Sequence, residues 1–243
     1  MLYGHWNMRS VLIFAVVVID ACGPRAHIPL RPSEPQALPG ALPASDVGAQ
    51  VARSLAPVLF LQRDEWFPLE RVVAVLHPSR RIIAYHLLWR DDVHGSWIPL
   101  TVPTDEEIVW VGYDSTSNPT DLWTYWHGTL LHSPWRDRGT ITVNVQWGKH
   151  GSFAHDAIES DLPGIKKLND FYAFRYLAIW DMWLGKLTRP GPGCFCHSYR
   201  RYREFTRPLA VGDHIDVVAR AEDATALLTE VFGKPYSRKR AWP

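Results

Sequence analysis

Carboxylate and imidazole side chains mark the ends of several predicted strands, and these groups can bind metal ions or transfer protons. Asp92 directly follows one predicted strand, while Asp105 and Glu107 open the next one. Carboxylate oxygens suit Ca²⁺ or Mg²⁺. The three residues are therefore the candidate metal ligands, with Ca²⁺ or Mg²⁺ as the candidate cofactor. Because side chains alternate along a strand, Glu106 points away from the face that Glu107 occupies.

Three histidines are the candidate residues of a ligand-binding pocket. His127 ends a predicted strand, where an imidazole can serve as a ligand or a general base. His150 and His155 lie in a glycine-containing segment, residues 148–155, that follows another strand. The simpler alternative makes the acids solvated strand ends and the histidines hydrogen-bonded residues of a sheet. The residue pattern leaves both interpretations open.

The strands that position these groups are read from alternating polar and apolar residues. Residues 140–147 alternate without a break, which predicts a half-buried strand with Ile141, Val143, Val145 and Trp147 facing inward. Further strands are predicted at residues 57–61, 71–76, 82–89, 108–113, 122–128 and 216–219. If strands 82–89 and 108–113 are antiparallel neighbours, the end of the first lies beside the start of the second. The three candidate metal ligands would then meet at one edge of the sheet.

Helices are predicted around these strands. Residues 46–55 and 221–232 are candidate short helices, and an aromatic stripe with helical spacing runs through residues 168–183. The predicted fold is mainly β within the α+β class: an antiparallel β-sandwich with C-terminal helices packed on it. Residues 46–243 form one predicted domain, because no repeat or internal linker divides them.

The first 45 residues indicate export. An apolar run over residues 11–19 is too short to span a bilayer but suits a signal peptide, so residues 1–21 are predicted to be removed. Translation starts at Met1 or at Met8, which precedes Arg9. The residues before Cys22 resemble a bacterial lipoprotein signal, although Asp20 departs from it, and an ordinary secretory signal is the alternative. Residues 22–45 form a proline-rich tether.

These features predict a protein of the cell envelope that is lipid-anchored through Cys22, or periplasmic or secreted. The membrane is then a partner through the lipid anchor. A formal net charge of +1 gives the chain no overall attraction to nucleic acid, which is not expected as a partner. Cys194 and Cys196, with His197 beside them, lack the second ligand pair of a structural zinc site, so a strained disulfide or two free thiols remain as alternatives.

An ordered set of short motifs resembles the β-sandwich family of vacuolar sorting protein 62 and, more distantly, the necrosis-inducing (NLP) toxins. The motifs are residues 56–61, 83–92, 105–107, 127–128 and 148–155. The resemblance implies a β-sandwich and, through the toxins, a divalent cation held by acids and a histidine. Two positions depart from the toxin heptad: Thr104 stands before Asp105, and Glu106 replaces a tryptophan.

The predicted function is a surface domain that binds a glycan or a lipid headgroup at the strand-end pocket. A divalent-metal-assisted hydrolase using Asp92, Asp105, Glu107 and His127 is one alternative, and a purely structural envelope protein is another. The chain lacks the common hydrolase and nucleotide-binding motifs, which disfavours an enzyme without excluding one. A hydrolase needs its acids and His127 to converge on an open position. A binding domain needs accessible aromatic rings beside the pocket instead.

Overall fold

The computed structural model describes residues 38–62, 65, 67–90, 105–137, 139–146, 148–158, 161–163, 205–233, 236 and 238–243. Several predictions lie outside these residues: the signal peptide, Cys22 and the tether up to residue 37, Asp92, Trp147, the helix at 168–183, and the cluster from Cys194 to His197. Among the described helices none is long and apolar enough to cross a membrane.

Two β-sheets form the body of the domain. The larger has the order β10-β2-β3-β4-β5-β6, and the smaller has the order β8-β7-β1-β9. The strands of the larger sheet are β2 (Leu69–Leu76), β3 (Ile82–Trp89), β4 (Glu106–Tyr113), β5 (Pro119–Trp126), β6 (Thr129–Pro134) and β10 (Ile215–Arg220). The strands of the smaller sheet are β1 (Val58–Gln62), β7 (Thr142–Val145), β8 (Ser152–Ala154) and β9 (Phe205–Ala210).

Strand direction differs in part from the predicted antiparallel arrangement. Most neighbours are antiparallel, but β1 pairs with β7 in parallel and β10 pairs with β2 in parallel. Parallel neighbours need a long crossover, and both pairs join strands that are far apart in the sequence. The architecture is thus a sandwich of two mixed sheets with added helices, within the predicted mainly β, α+β class.

The apolar core lies on the inner face of the larger sheet. Tyr85, Trp89 and Val109 are among its fully buried members, together with Val143 of β7 from the smaller sheet. Helix α1 (Val47–Ser54) adds two buried alanines to this core, and Asp46 caps its first turn by accepting a hydrogen bond from Gly48 N at 2.7 Å. The predicted helix at 46–55 is therefore present.

The outer face of the larger sheet carries a second apolar layer. Helix α2 (Thr225–Phe232) packs Leu227, Leu228 and Phe232 against this layer, which includes Trp110 of β4. Gly233 ends the helix with φ 66°, a left-handed conformation that favours glycine. Alternate residues of β4 therefore face two different apolar layers, so its apolar run has little polar alternation.

The strand predicted at 140–147 is shorter and more buried than its pattern indicates. Ile141, Val143 and Val145 are buried as predicted, but the polar residues Asn144 and Gln146 are buried as well. Their side-chain amides have partners, His155 and His127 respectively, which offsets the cost of burial. Strands β6, β8 and β9 have no counterpart among the predicted strands.

Candidate functional site

The acidic residues gather at the edge where β3 ends and β4 begins. The two strands are antiparallel, with Leu88 opposite Glu106, and Trp89 N donates a hydrogen bond to Asp105 O at 2.8 Å. The predicted neighbourhood of these two strand ends is thus present. Asp105 and Glu107 are both buried, at 6% and 5% exposure, whereas strand ends are commonly solvated.

His150 is fully buried between two carboxylates. Its Nδ1 lies 3.0 Å from Asp105 Oδ2, and its Nε2 lies 3.4 Å from Glu65 Oε1. The second contact is an ion pair rather than a well-formed hydrogen bond. The imidazole stacks on Trp89 with the ring centroids 4.2 Å apart. His150 therefore joins the start of β4 to the loop that follows β1.

The loop after β1 is fixed by the carboxylate of Glu65. Its Oε1 accepts a hydrogen bond from Phe67 N at 3.0 Å, and its Oε2 accepts one from Gly148 N at 2.8 Å. Burial alone would lower the pKa of His150, but attraction to Glu65 and Asp105 outweighs burial and raises it to about 9. Burial would raise the pKa of Asp105, but the His150 hydrogen bond lowers it instead. His150 is therefore an imidazolium at neutral pH, and its ring lies between the side chains of Asp105 and Glu65.

Glu107 pairs with Lys239, which comes from a distant part of the chain. Lys239 Nζ lies 3.2 Å from Glu107 Oε1, while Glu107 Oε2 is buried without a hydrogen-bond partner among the described residues. Burial and the negative charge of Asp105 raise the pKa of Glu107, and Lys239 opposes them. Burial would lower the pKa of Lys239, but attraction to Glu107 and Asp105 raises it. The lysine is therefore an ammonium at neutral pH.

Glu106 points to the opposite face, as the strand alternation predicts. Its Oε1 lies 2.7 Å from His86 Nδ1, and its Oε2 accepts a hydrogen bond from Lys239 N at 3.3 Å. The β4–β5 ladder begins with Val109 opposite Thr124, so Glu106 and Glu107 precede it. Lys239 contacts both acids at this open end of the ladder.

His127 forms the tight turn between β5 and β6. Trp126 pairs with Thr129, which leaves His127 and Gly128 as a two-residue loop with φ 45° and 88°. Positive φ at both positions is the type I′ pattern, which matches the twist of a hairpin. His127 Nε2 hydrogen-bonds Gln146 Oε1, and burial lowers the pKa of His127 to about 4. The ring is therefore neutral at pH 7.

Gly151 allows the β5–β6 turn to approach the segment that carries His150. A Cβ atom at Gly151 would lie 3.0 Å from His127 Nε2 and 3.1 Å from Trp126 Cε3. This close approach is the physical reason for a glycine there. Two of the three candidate histidines, His127 and His150, thus belong to segments that pack against each other.

His155 belongs to a different part of the molecule. It is exposed, its Nδ1 lies 2.6 Å from Asn144 Oδ1, and its ring stacks on Phe60 at 4.3 Å. These contacts place it on the smaller sheet rather than with the acids. The structure therefore brings together His127, His150, Asp105 and Glu107.

Three members of the site were not predicted from the sequence: Glu65, Gln146 and Lys239. Glu65 stands in a loop between strands, and Gln146 is an ordinary polar position of an alternating strand. Lys239 belongs to the basic run Arg238, Lys239 and Arg240, a pattern that usually indicates solvent exposure. One hint exists for Lys239, because a buried acidic cluster such as residues 105–107 requires a cation or a proton nearby.

The described residues do not fit a divalent metal ion while Lys239 is in place. Among residues the structure describes, none form a group of three or more histidine, cysteine or acidic ligands that could hold one. Asp105 is paired with His150, and Glu107 is paired with Lys239. A metal ion at Asp92, Asp105 and Glu107 would have to displace these cations, and it stays a prediction because Asp92 lies outside the described residues.

Comparison with known proteins finds similarity to part of the chain only. No family model and no curated protein matches the sequence. One similar solved structure is described as "Toxin fold as basis for microbial attack and plant defense"; it is 15% identical, with 49% of this chain and 74% of that chain covered and a TM-score of 0.38. Another, "NLPPya in complex with mannosamine", is 15% identical over 50% of this chain and 74% of that chain, with a TM-score of 0.36.

A third similar structure, "NLPPya in complex with glucosamine", is 15% identical, with the same shares of each chain covered and a TM-score of 0.37. The weak and partial resemblance to NLP toxins that the sequence motifs indicate is thus found among solved structures as well.

Proposed function

We propose that this chain is an exported β-sandwich domain that binds a glycan or a lipid headgroup beside the acidic pocket. The observation that carries the proposal is a pair of half-buried aromatic rings, Trp123 and Tyr125, on the outer face of β5. They approach the pocket through Lys239, whose Nζ lies 5.2 Å from the Tyr125 ring centre and 3.2 Å from Glu107 Oε1.

Polar groups flank both rings. His132 stacks on Trp123 at 4.9 Å, and its Nε2 lies 2.8 Å from Asp121 Oδ1. Aromatic surface with a few polar groups at its margin suits a sugar, which presents both C–H faces and hydroxyl groups. Asp121 and His132 are positioned to hydrogen-bond hydroxyls at one end of this surface, and Lys239 at the other.

The same geometry favours binding over hydrolysis. A hydrolase needs an acid and a base that face an open reacting position. Asp105 is held by His150, Glu107 by Lys239, and His127 by Gln146. Each of these candidate catalytic groups is already engaged by a neighbouring side chain, so the hydrolase alternative requires several contacts to break first.

Ligand binding is tested by calorimetric titration of the purified chain with glucosamine, mannosamine, glucose and glucuronic acid. Sedimentation with phosphatidylglycerol vesicles tests the lipid headgroup. We expect one of these probes to bind, and Trp123→Ala to weaken its binding at least tenfold, which is about 1.4 kcal/mol.

Tyr113→Ala is the matched control, because Tyr113 is a partly buried aromatic residue at the far end of β4. It should leave ligand affinity unchanged. Failure of every probe to bind, or equal affinity of the Trp123→Ala variant and the parent, would overturn the proposal.

Export and membrane anchoring are a separate part of the proposal, supported by the sequence of residues 1–22. We expect removal of residues 1–21 and lipidation of Cys22, which would hold the domain at the membrane of the cell envelope. Cys22→Ser should move the protein from the membrane fraction to the soluble fraction. Identical fractionation of the variant and the parent would contradict lipidation.

A further inference from the structure

The segment 238–243 is held against the outer face of the larger sheet by directional contacts. Trp110 Nε1 donates a hydrogen bond to Ala241 O at 2.9 Å, and Trp242 Nε1 donates one to Glu222 O at 2.7 Å. Trp242 also packs its ring edge-on against His77 with the centroids 4.8 Å apart. Ala241 and Trp242 follow Lys239 closely in the sequence. Their contacts therefore fix the position of the Lys239 backbone.

The three basic residues of this segment differ in solvent exposure. Arg238 and Arg240 are exposed, whereas the side chain of Lys239 is only 16% exposed. Lys239 uses its backbone N–H for Glu106 and its ammonium for Glu107. A lysine is rarely buried to this degree unless its charge is compensated. Compensation here comes from the acids at the start of β4.

We propose that the ammonium of Lys239 is the resident cation of the pocket that contains the buried acids Asp105 and Glu107, in place of a divalent ion, while its backbone N–H binds Glu106 on the opposite face of β4. Removal of this ammonium would leave Glu107 buried without its cation, and millimolar Ca²⁺ is the probe for a replacement cation there. This inference does not depend on the proposed glycan binding.

Electrostatics supports a resident cation. Two buried carboxylates close together repel, and Glu107 Oε2 still lacks a hydrogen-bond partner among the described residues. Lys239 contacts two of the acids, because its Nζ lies 3.2 Å from Glu107 Oε1 and its backbone N–H donates to Glu106 Oε2 at 3.3 Å. The lysine therefore supplies a positive charge directly beside these buried acids.

Covalent attachment gives Lys239 an advantage over a free ion. A group tethered beside its site has an effective concentration in the millimolar range or above, while a free ion also loses translational freedom on binding. Calcium at millimolar concentration therefore has to displace a competitor of at least similar local concentration. We expect the intact chain to show no stabilisation by calcium.

The test compares thermal melting in millimolar Ca²⁺ with melting in chelator for the full chain and three variants. Lys239→Met removes the ammonium but keeps most of the apolar stem, and it should lower the melting temperature in chelator and regain part of it in calcium. Lys239→Arg keeps a positive charge and should not respond to calcium. Arg240→Met removes an exposed neighbouring charge and should melt like the parent under both conditions.

Two results would overturn the proposal. One is a parent chain that is stabilised by calcium as strongly as Lys239→Met, which would place a divalent ion in the pocket with the lysine present. The other is a Lys239→Met variant that melts like the parent and does not respond to calcium.

Should Lys239→Met fail to fold, acetylation of the parent chain followed by mass spectrometry keeps the inference testable. Lys239 should react more slowly than the other lysines, because its side chain is mostly buried and its Nζ lies 3.2 Å from Glu107 Oε1. Reaction at the average rate would contradict a resident ammonium.

Discussion

The turn at His127 and the loop at His150 place the same residue type in the same unusual backbone conformation. Their φ angles are 45° and 54°, and each histidine is followed by a glycine. Burial alone would lower the pKa of either imidazole. The outcome is nevertheless opposite, because the pKa of His127 falls to about 4 while that of His150 rises to about 9.

The difference lies in the partners. Gln146 offers His127 a neutral amide, whereas Asp105 and Glu65 offer His150 two negative charges. A neutral acceptor does not repay the desolvation of an imidazolium, but two buried carboxylates do. Positive φ is uncommon for non-glycine residues, and at His127 the two-residue hairpin turn accounts for it.

Loss of the charged histidine should have the largest effect on stability. His150→Gln removes the cation between Asp105 and Glu65 and leaves two buried carboxylates facing each other. We expect a loss of about 3–5 kcal/mol in the free energy of unfolding, measured with urea. His127→Gln is the matched change at the neutral site and should cost about 1 kcal/mol. Equal losses of unfolding free energy in the two variants would contradict a stabilising role for the charge of His150.

The pH dependence of stability should follow the charged histidine on the alkaline side. The folded pKa of His150 lies above the ordinary value of 6.5, so its contribution is complete below pH 6.5 and is lost as the pH rises through about 9. This contribution amounts to roughly 3 kcal/mol. Urea unfolding at several pH values should show the decline in the parent and not in His150→Gln. A parent whose stability is flat from pH 6.5 to 9 would contradict the assignment.

Replacement of the neutral partner Gln146 by a carboxylate should raise the pKa of His127, as the carboxylates around His150 raise the pKa of that residue. Gln146→Glu places a carboxylate beside the imidazole and should raise the pKa of His127 by about one to three units, as followed by NMR titration. Asn144→Asp is the control, because it adds the same charge beside His155 instead. An unchanged pKa in Gln146→Glu would show that the partner does not decide the difference.

The smallest effect is expected for a turn-compatible replacement of the neutral histidine. Asparagine tolerates positive φ, so His127→Asn should keep the turn and cost about 1 kcal/mol through loss of the bond to Gln146. His127 is neutral in the folded chain, with a pKa below 6.5, so its contribution is present above pH 6.5 and is lost as the pH falls toward 4. His127→Asn should remove this acidic limb. A loss of several kcal/mol would indicate a strained turn instead.

The sequence by itself determined most of the elements, although not β6, β8 or β9, and it determined one edge of the site. Alternation and apolar runs place strands near β1, β2, β3, β4, β5 and β10, and Gly233 marks the end of α2, because such patterns reflect contacts over a few residues. On the condition that β3 and β4 are antiparallel neighbours, which the structure confirms, their order along the chain brings the end of one beside the start of the other. The opposite directions of Glu106 and Glu107 follow from the two-residue period of a strand.

Only the tertiary structure decided how the charges of the site are balanced. Glu65, Asp105, His150 and Lys239 come from four separate segments, and no local pattern records which of them meet. The parallel pairing of β1 with β7 helps to place β7 and the segment after it, which carries His150, in the smaller sheet. The pKa of an imidazole depends on burial and on charges a few ångströms away, and those distances are set by long-range packing rather than by neighbours in the sequence.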